Sequence, residues 1–162
     1  MSESILNALI QLFALTATTS KVTAKGRKIV DAFLRQHLSR RLIDEYVDLF
    51  DSYLSFYKRD MPEINEHTEA NYGVLIDYVD KVCIQIRKGL QQADRILVFI
   101  RMLEYVCQDD KVTEVEREIV DTVASCFSID PKEAHNLKSF LFRNDFVEID
   151  TKSLLLIEDQ PR

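Results

Sequence analysis

"KVTAKGRKIVD" at residues 21–31 returns as "KVTEVEREIVD" at residues 111–121, ninety positions later and with no gap. Lys, Val, Thr, Arg, Ile, Val and Asp recur at seven of the eleven places. In each copy a threonine, Thr23 or Thr113, stands where a helix takes its N-cap, and Ile29–Val30 or Ile119–Val120 follow two turns on, where a core face belongs. Such a recurrence implies two related units. Each reads as a helical hairpin followed by a third helix. The expected fold is therefore all-α, about seven helices in two pseudo-repeated halves packed about a pseudo-twofold axis, with residues 9–50 equivalent to 99–140.

Outward from these phrases, apolar residues keep helical spacing along most of the chain. Ile5, Leu9, Leu12 and Phe13 mark the first helix behind Ser2 or Ser4. Ile29, Val30, Phe33 and Leu34 carry the second. Leu42, Tyr46, Leu49, Phe50, Tyr53, Leu54 and Tyr57 form a stripe in the third, which Ser39 starts. Leu75, Val79, Val82 and Ile86 give the fourth. The run Ile96 to Ile100 is apolar on so many sides that the fifth helix belongs in the middle of the bundle. Val115, Ile119, Val120, Val123 and Phe127 define the sixth. The seventh has Asp130 at N-cap and Pro131 at N1, and an apolar face of Ala134, Leu137, Phe140 and Leu141. "KRDMPEINEHTEA", residues 58–70, is the longest internal loop.

Composition supports the class. The chain has 162 residues, 46% of them hydrophobic, with only three Gly and three Pro, too few for the turns of a sandwich or barrel. A net charge of -6 argues against nucleic acid, and the basic patch Arg35, Arg40 and Arg41 lacks an aromatic partner set. Cys83, Cys107 and Cys126 show no CxxC spacing and read as core thiols in a reducing compartment. There is no signal peptide and no membrane-spanning run, so a cytoplasmic location is expected.

The two copies differ in one respect that bears on function. Asp109, Asp110, Glu114 and Glu116 stand opposite Thr19, Ser20, Ala24 and Gly26, so the four acids are dispensable for making the hairpin. "DDKVTEVE" at 109–116 resembles the signature Asp-Gly-x-Val-Ser/Thr-x-x-Glu of the tellurite-resistance TerB family and of the related N-terminal domain of DnaJ-like co-chaperones. Asp109 takes the Asp place, Val112 and Thr113 match, and Glu116 takes the Glu place, while Asp110 replaces the usual Gly. "TSKVTAKG" in the first copy keeps only Val22 and Thr23.

The resemblance spans residues 3–142 and implies an all-helical domain of two such halves. It also implies an acidic loop associated with divalent metal and a role as an interaction or signalling module. With "SILNALIQLFAL" and "RMLEYVCQDDKVTEVEREIVDTVASCFSI", the whole chain is similar to the N-terminal portion of long bacterial proteins in which a TerB-like domain precedes an ABC-type ATPase and a membrane region. On that footing residues 1–144 are the TerB-like domain. Residues 145–162, including "FVEIDTKSLLLIEDQPR", are a short extended tail or the start of a missing downstream domain.

Two readings of the acids stand side by side. Thr113 and Glu116 suit a capping box, in which each residue bonds the other's amide. Alternatively Asp109, Asp110 and Glu116 are metal ligands for calcium or magnesium, an ion that wants more oxygens than the loop offers with certainty. His37, His67 and His135 are scattered, with no nucleophile near them in sequence, and no phosphate-binding glycine loop is present. The expected function is a non-catalytic regulatory or protein-interaction module of a larger membrane-associated ATPase or stress-response protein, with any ATPase chemistry downstream. Its partner is another protein or a downstream domain. The alternative is a divalent-metal-dependent sensor or enzyme that uses residues 109–116.

Overall fold

The structure, a computed structural model, describes residues 2–19, 23–60, 69–107 and 112–142. These form seven helices and, among the described residues, no strand: α1 (Glu3–Ala17), α2 (Thr23–His37), α3 (Arg40–Asp60), α4 (Glu69–Arg87), α5 (Gln92–Val106), α6 (Glu114–Cys126) and α7 (Pro131–Leu141). The all-α, seven-helix expectation is met. Moved by ninety residues, α1 and α2 would cover 93–107 and 113–127, within a residue of the bounds of α5 and α6. Of the expected loop at 58–70, residues 58–60 belong to α3 and residues 69–70 to α4; its remainder, the expected tail at 145–162 and residues 20–22 and 108–111 lie outside the described residues.

α1 is the hub. It packs against α2, α3, α4 and α5, while α4 lies along α6, and α7 closes over α5 and α6. "SILNALIQLFALTA" suits that place because apolar residues occur on every side of the helix. Leu9, Ile10, Leu12, Ala14 and Leu15 are completely buried. Burying a Leu, Ile or Phe side chain stabilises by about 1.5–3 kcal/mol, so α1 is the largest single contributor to the core. α5, expected in the middle, shares that position but is less covered. Val98, Phe99, Met102 and Leu103 are buried, while Ile96, Leu97 and Ile100 only border the core.

A helix buried from Ile5 to its C-terminal end must satisfy its terminal backbone groups locally. At the start of α1 the Ser2 hydroxyl accepts from the Ile5 amide at 3.3 Å. At its end the sequence "TATT" supplies donors. Thr16 Oγ1 donates to the Leu12 carbonyl (2.8 Å), Thr18 Oγ1 to that of Leu15 (2.6 Å) and Thr19 Oγ1 to that of Thr16 (2.7 Å). Arginines serve other ends. Arg95 donates to the carbonyls of Arg87 (2.9 Å) and Leu90 (3.1 Å) after α4, and Arg87 donates to that of Cys126 (3.1 Å) at the end of α6. The chain leaves α6 through Ser128 at φ 55°, with Ser128 N–H donating to Ser125 O and Ile129 N–H to Ala124 O. This is the paired-bond ending that a glycine usually makes.

Several expectations change in detail. Ile119 is fully buried, but Ile29 only borders the core, so the two isoleucines are not equal in burial. Leu42 and Phe140 belong to predicted apolar stripes, yet are 39% and 55% exposed. α3 buries Phe50, Leu54 and Tyr57 of its predicted stripe, with Ile43 in the place expected of Leu42. Charged residues of the two repeated phrases pair both along and across helices. Arg27 pairs with Asp51 of α3 (3.0 Å), Asp31 pairs with Arg35 (2.7 Å), and Asp121 pairs with Lys138 of α7 (2.6 Å). Arg117 lays its guanidinium over the Phe142 ring, 5.1 Å from the centroid. Of these pairs, Asp31–Arg35 spans one turn of α2, while Arg27 and Asp121 are paired across to other helices.

Candidate functional site

The start of α6 carries the motif. Thr113 is its N-cap, with φ −75° and ψ 158°. Its hydroxyl accepts from the Glu116 amide at 3.2 Å and donates to Glu116 Oε1 at 2.8 Å, while the Thr113 amide donates to the same Oε1 at 3.1 Å. One carboxylate oxygen of Glu116 is therefore committed to capping, which leaves Oε2 as the oxygen it could offer an ion. Glu114 is exposed beside it. Asp109 and Asp110, the other two expected ligands, lie outside the described residues. Among the described residues no group of three or more His, Cys, Asp or Glu side chains gathers where it could hold a metal ion.

What the motif touches is the end of α5. Burial, and next the Glu116 charge, raise the Tyr105 phenol. The same two causes, in the same order, push the Cys107 thiol up to about 11. The Tyr105 ring stacks on Phe13 with centroids 4.7 Å apart, and Phe13 meets Phe33 of α2 edge-on at 5.6 Å. Gly26 of α2 faces Tyr105, so the first copy of the repeated phrase, the second copy and the hub helix meet around one tyrosine. Gly26 stands in the place that Glu116 holds in the second copy. A carboxylate there has no room.

Cys83 and Cys126 are core thiols as expected, while Cys107 is only half-buried. Cys83 is fully buried on α4 with Cys126 of α6 against it, and both thiols are raised chiefly by burial. His135 and His37 are exposed, and His67 lies outside the described residues. The His37 ring tilts against Phe33 at 4.7 Å, and burial together with the Arg101 charge lowers its pKa.

At the opposite end of α1 lies a groove of about 560 Å³ that sequence reasoning did not anticipate. Leu6 and Asn7 of α1 form one wall, Leu42, Tyr46 and Leu49 of α3 the other, and Leu38 of the α2–α3 turn closes the end. Glu3 and Glu45 also line it. The Tyr46 phenol is raised by burial first and then by the charges of Glu3 and Glu45, which stand exposed at the groove. Tyr53 O–H donates to Asn7 Oδ1 at 3.2 Å and ties the walls together. The available signal was Leu42 itself, a leucine one residue off the buried face of α3.

No helix among the described residues is long and apolar enough to cross a membrane. Comparison of the chain with known protein families, with curated proteins and with solved structures gives no match.

Proposed function

We propose that this chain is a non-catalytic protein-interaction module of the TerB-like kind, the cytoplasmic N-terminal domain of a larger membrane-associated ABC-type ATPase or stress-response protein. Its likeness to that family rests on Val112, Thr113 and Glu116 of the motif and on the helix order. The observation that carries an interaction role is the α1–α3 groove, which joins a leucine-lined floor to two carboxylates at the surface of an acidic chain. Leu42, a large apolar side chain at 39% exposure, borders it. A groove of this kind takes an amphipathic helix laid along it, with leucine-type anchors one turn apart. Charge complementarity selects the partner, a helix whose apolar stripe is flanked by Lys or Arg to meet Glu3 and Glu45. That helix belongs to a downstream region of the same protein or to a separate one.

Calorimetric titration with two designed helical peptides tests this reading. They share one leucine stripe and differ only in Lys or Glu flanks. The Lys peptide is expected to bind, more weakly in high salt, and Leu42→Asp is expected to abolish binding while the fold is retained. Equal binding of both peptides, no binding of either, or indifference to Leu42→Asp overturns it. The metal-sensor alternative has less support, because Glu116 spends an oxygen on its own helix cap.

A further inference from the structure

The groove between α1 and α3 has two unlike ends. Both helices run the same way along it, because α2 is antiparallel to each. Gly26 at the start of α2 faces Ala17 at the end of α1, and Phe33 further along α2 meets Phe13 further back on α1. Arg27 pairs with Asp51 near the middle of α3, while α2 ends at His37, just before α3 begins at Arg40. The N-terminal ends of α1 and α3 therefore lie together, at the end of the groove that Leu38 closes. Each is the positive pole of its helix. α2 ends there too, but Arg35 and His37 in its last turn offset its negative pole.

Arg40 and Arg41 strengthen that sign. Both are exposed in the first turn of α3, and neither has an ion pair among the described residues. Basic side chains at a helix N-terminus oppose the macrodipole, so they destabilise the helix that carries them. Arg41 stands one turn before Glu45 and shares its edge of α3, the edge that lines the groove. From the closed end, the rim runs from Arg40 and Arg41 to Glu3 and Glu45, and then to the uncharged Asn7 and Leu49. The wall from Leu38 to Leu49 is about three helical turns long.

We propose, on the footing that the groove takes an amphipathic helix, that this helix runs antiparallel to α1 and α3, with acidic residues in its last turn over Arg40 and Arg41 and basic residues one to two turns earlier, beside Glu3 and Glu45. Its negative pole then meets the positive poles of α1 and α3 and the two arginines. Laid the other way, it brings its own positive pole to the same cations. The groove thus selects its partner by charge order along the helix as well as by the leucine stripe.

Two three-turn peptides of one composition, both with blocked ends, test this on the full chain. They share the leucine stripe and central lysines, and differ only in whether a Glu–Asp pair stands in the last turn or the first. An isolated helix is stabilised by acids at its N-terminus, so the helicity of the free peptides works against the proposal. The peptide with C-terminal acids is expected to bind about tenfold more tightly in calorimetric titration. A nitroxide at its C-terminus is expected to broaden the NMR amide signals of Leu38 to Leu42 more than those of Leu49 to Tyr53. Arg40→Glu together with Arg41→Glu, at exposed positions, is expected to reverse the preference between the peptides. Affinities within about twofold of each other, a preference for N-terminal acids, an inverted broadening pattern, or a preference that survives the double substitution overturns the direction and leaves the groove itself as the binding site. No binding of either peptide overturns both.

Discussion

The hydroxyl of Tyr105 lies 2.8 Å from the point where a Cβ on Gly26 would stand, and Ala17 Cβ lies 3.4 Å from it. Tyr105 cannot easily withdraw, because it is buried and stacked on Phe13. Gly73 of α4 has nothing within 4 Å of the same point. Replacing a helical glycine by alanine normally stabilises by about 0.5–1 kcal/mol. Gly73→Ala should show that gain in denaturant unfolding. Gly26→Ala should show none or a loss, and Tyr105→Phe in the same chain should restore part of it.

Ser128 holds a left-handed backbone at φ 55°, where a side chain costs about 1–2 kcal/mol. Ser128→Gly should therefore raise stability by roughly 1 kcal/mol and lift the melting temperature without changing the circular dichroism spectrum. A fall in stability would mean that the serine side chain contributes something the two backbone bonds do not explain.

Ile119 and Ile29 occupy the same place in the two phrases but differ in burial. Ile119→Ala should cost about 2–5 kcal/mol, as a full core truncation does. Ile29→Ala should cost clearly less. Equal losses in chemical denaturation would contradict the burial difference.

Glu116 completes the α6 cap with three bonds to Thr113. Glu116→Ala should lower stability by about 1 kcal/mol whether or not calcium or magnesium is present. A melting temperature that rises with either ion in the wild type, and no longer does so in Asp109→Ala, would instead assign the acids to metal.

Cys107 is the least buried of the three thiols, and its pKa is pushed up to about 11. Only the thiolate attacks an alkylating reagent. Below that pKa the thiolate fraction grows about tenfold per pH unit, so the labelling rate at Cys107 should still be climbing at pH 10, where an ordinary thiol has levelled off. Cys83, fully buried, should label only as the protein unfolds.

Helix number and type were legible because periodicity is a local property, and caps such as Thr113 and Asp130 mark helix starts with their own side chains, whereas the end of α3 and the start of α4 run into the stretch expected to be loop. The face each helix presents was less so. Leu42 and Phe140 fit their stripes by spacing, and only the angle at which α3 and α7 pack leaves them outside. The partners of Arg27 and Asp121 come from other helices, beyond the reach of a rule about the next turn. The motif at 109–116 was visible as a cap. That Gly26 replaces Glu116 for lack of space depends on a tyrosine seventy-nine positions away. The groove is formed between elements and has no signature within any one of them.

The hub position of α1 also imposes an order on synthesis. Of the seven described helices α1 is made first, and one of the helices that covers it, α5, begins at Gln92. At roughly 5–20 residues per second, a ribosome needs on the order of 5–20 s to bring α5 into being after α1. Until then a helix with apolar residues at ten of its fifteen positions waits with at least one side bare. Contacts so distant along the chain slow the search for the native arrangement. Holding factors that recognise exposed apolar segments therefore have their longest opportunity at residues 3–17, and a ribosome stalled before residue 92 would present that segment to them.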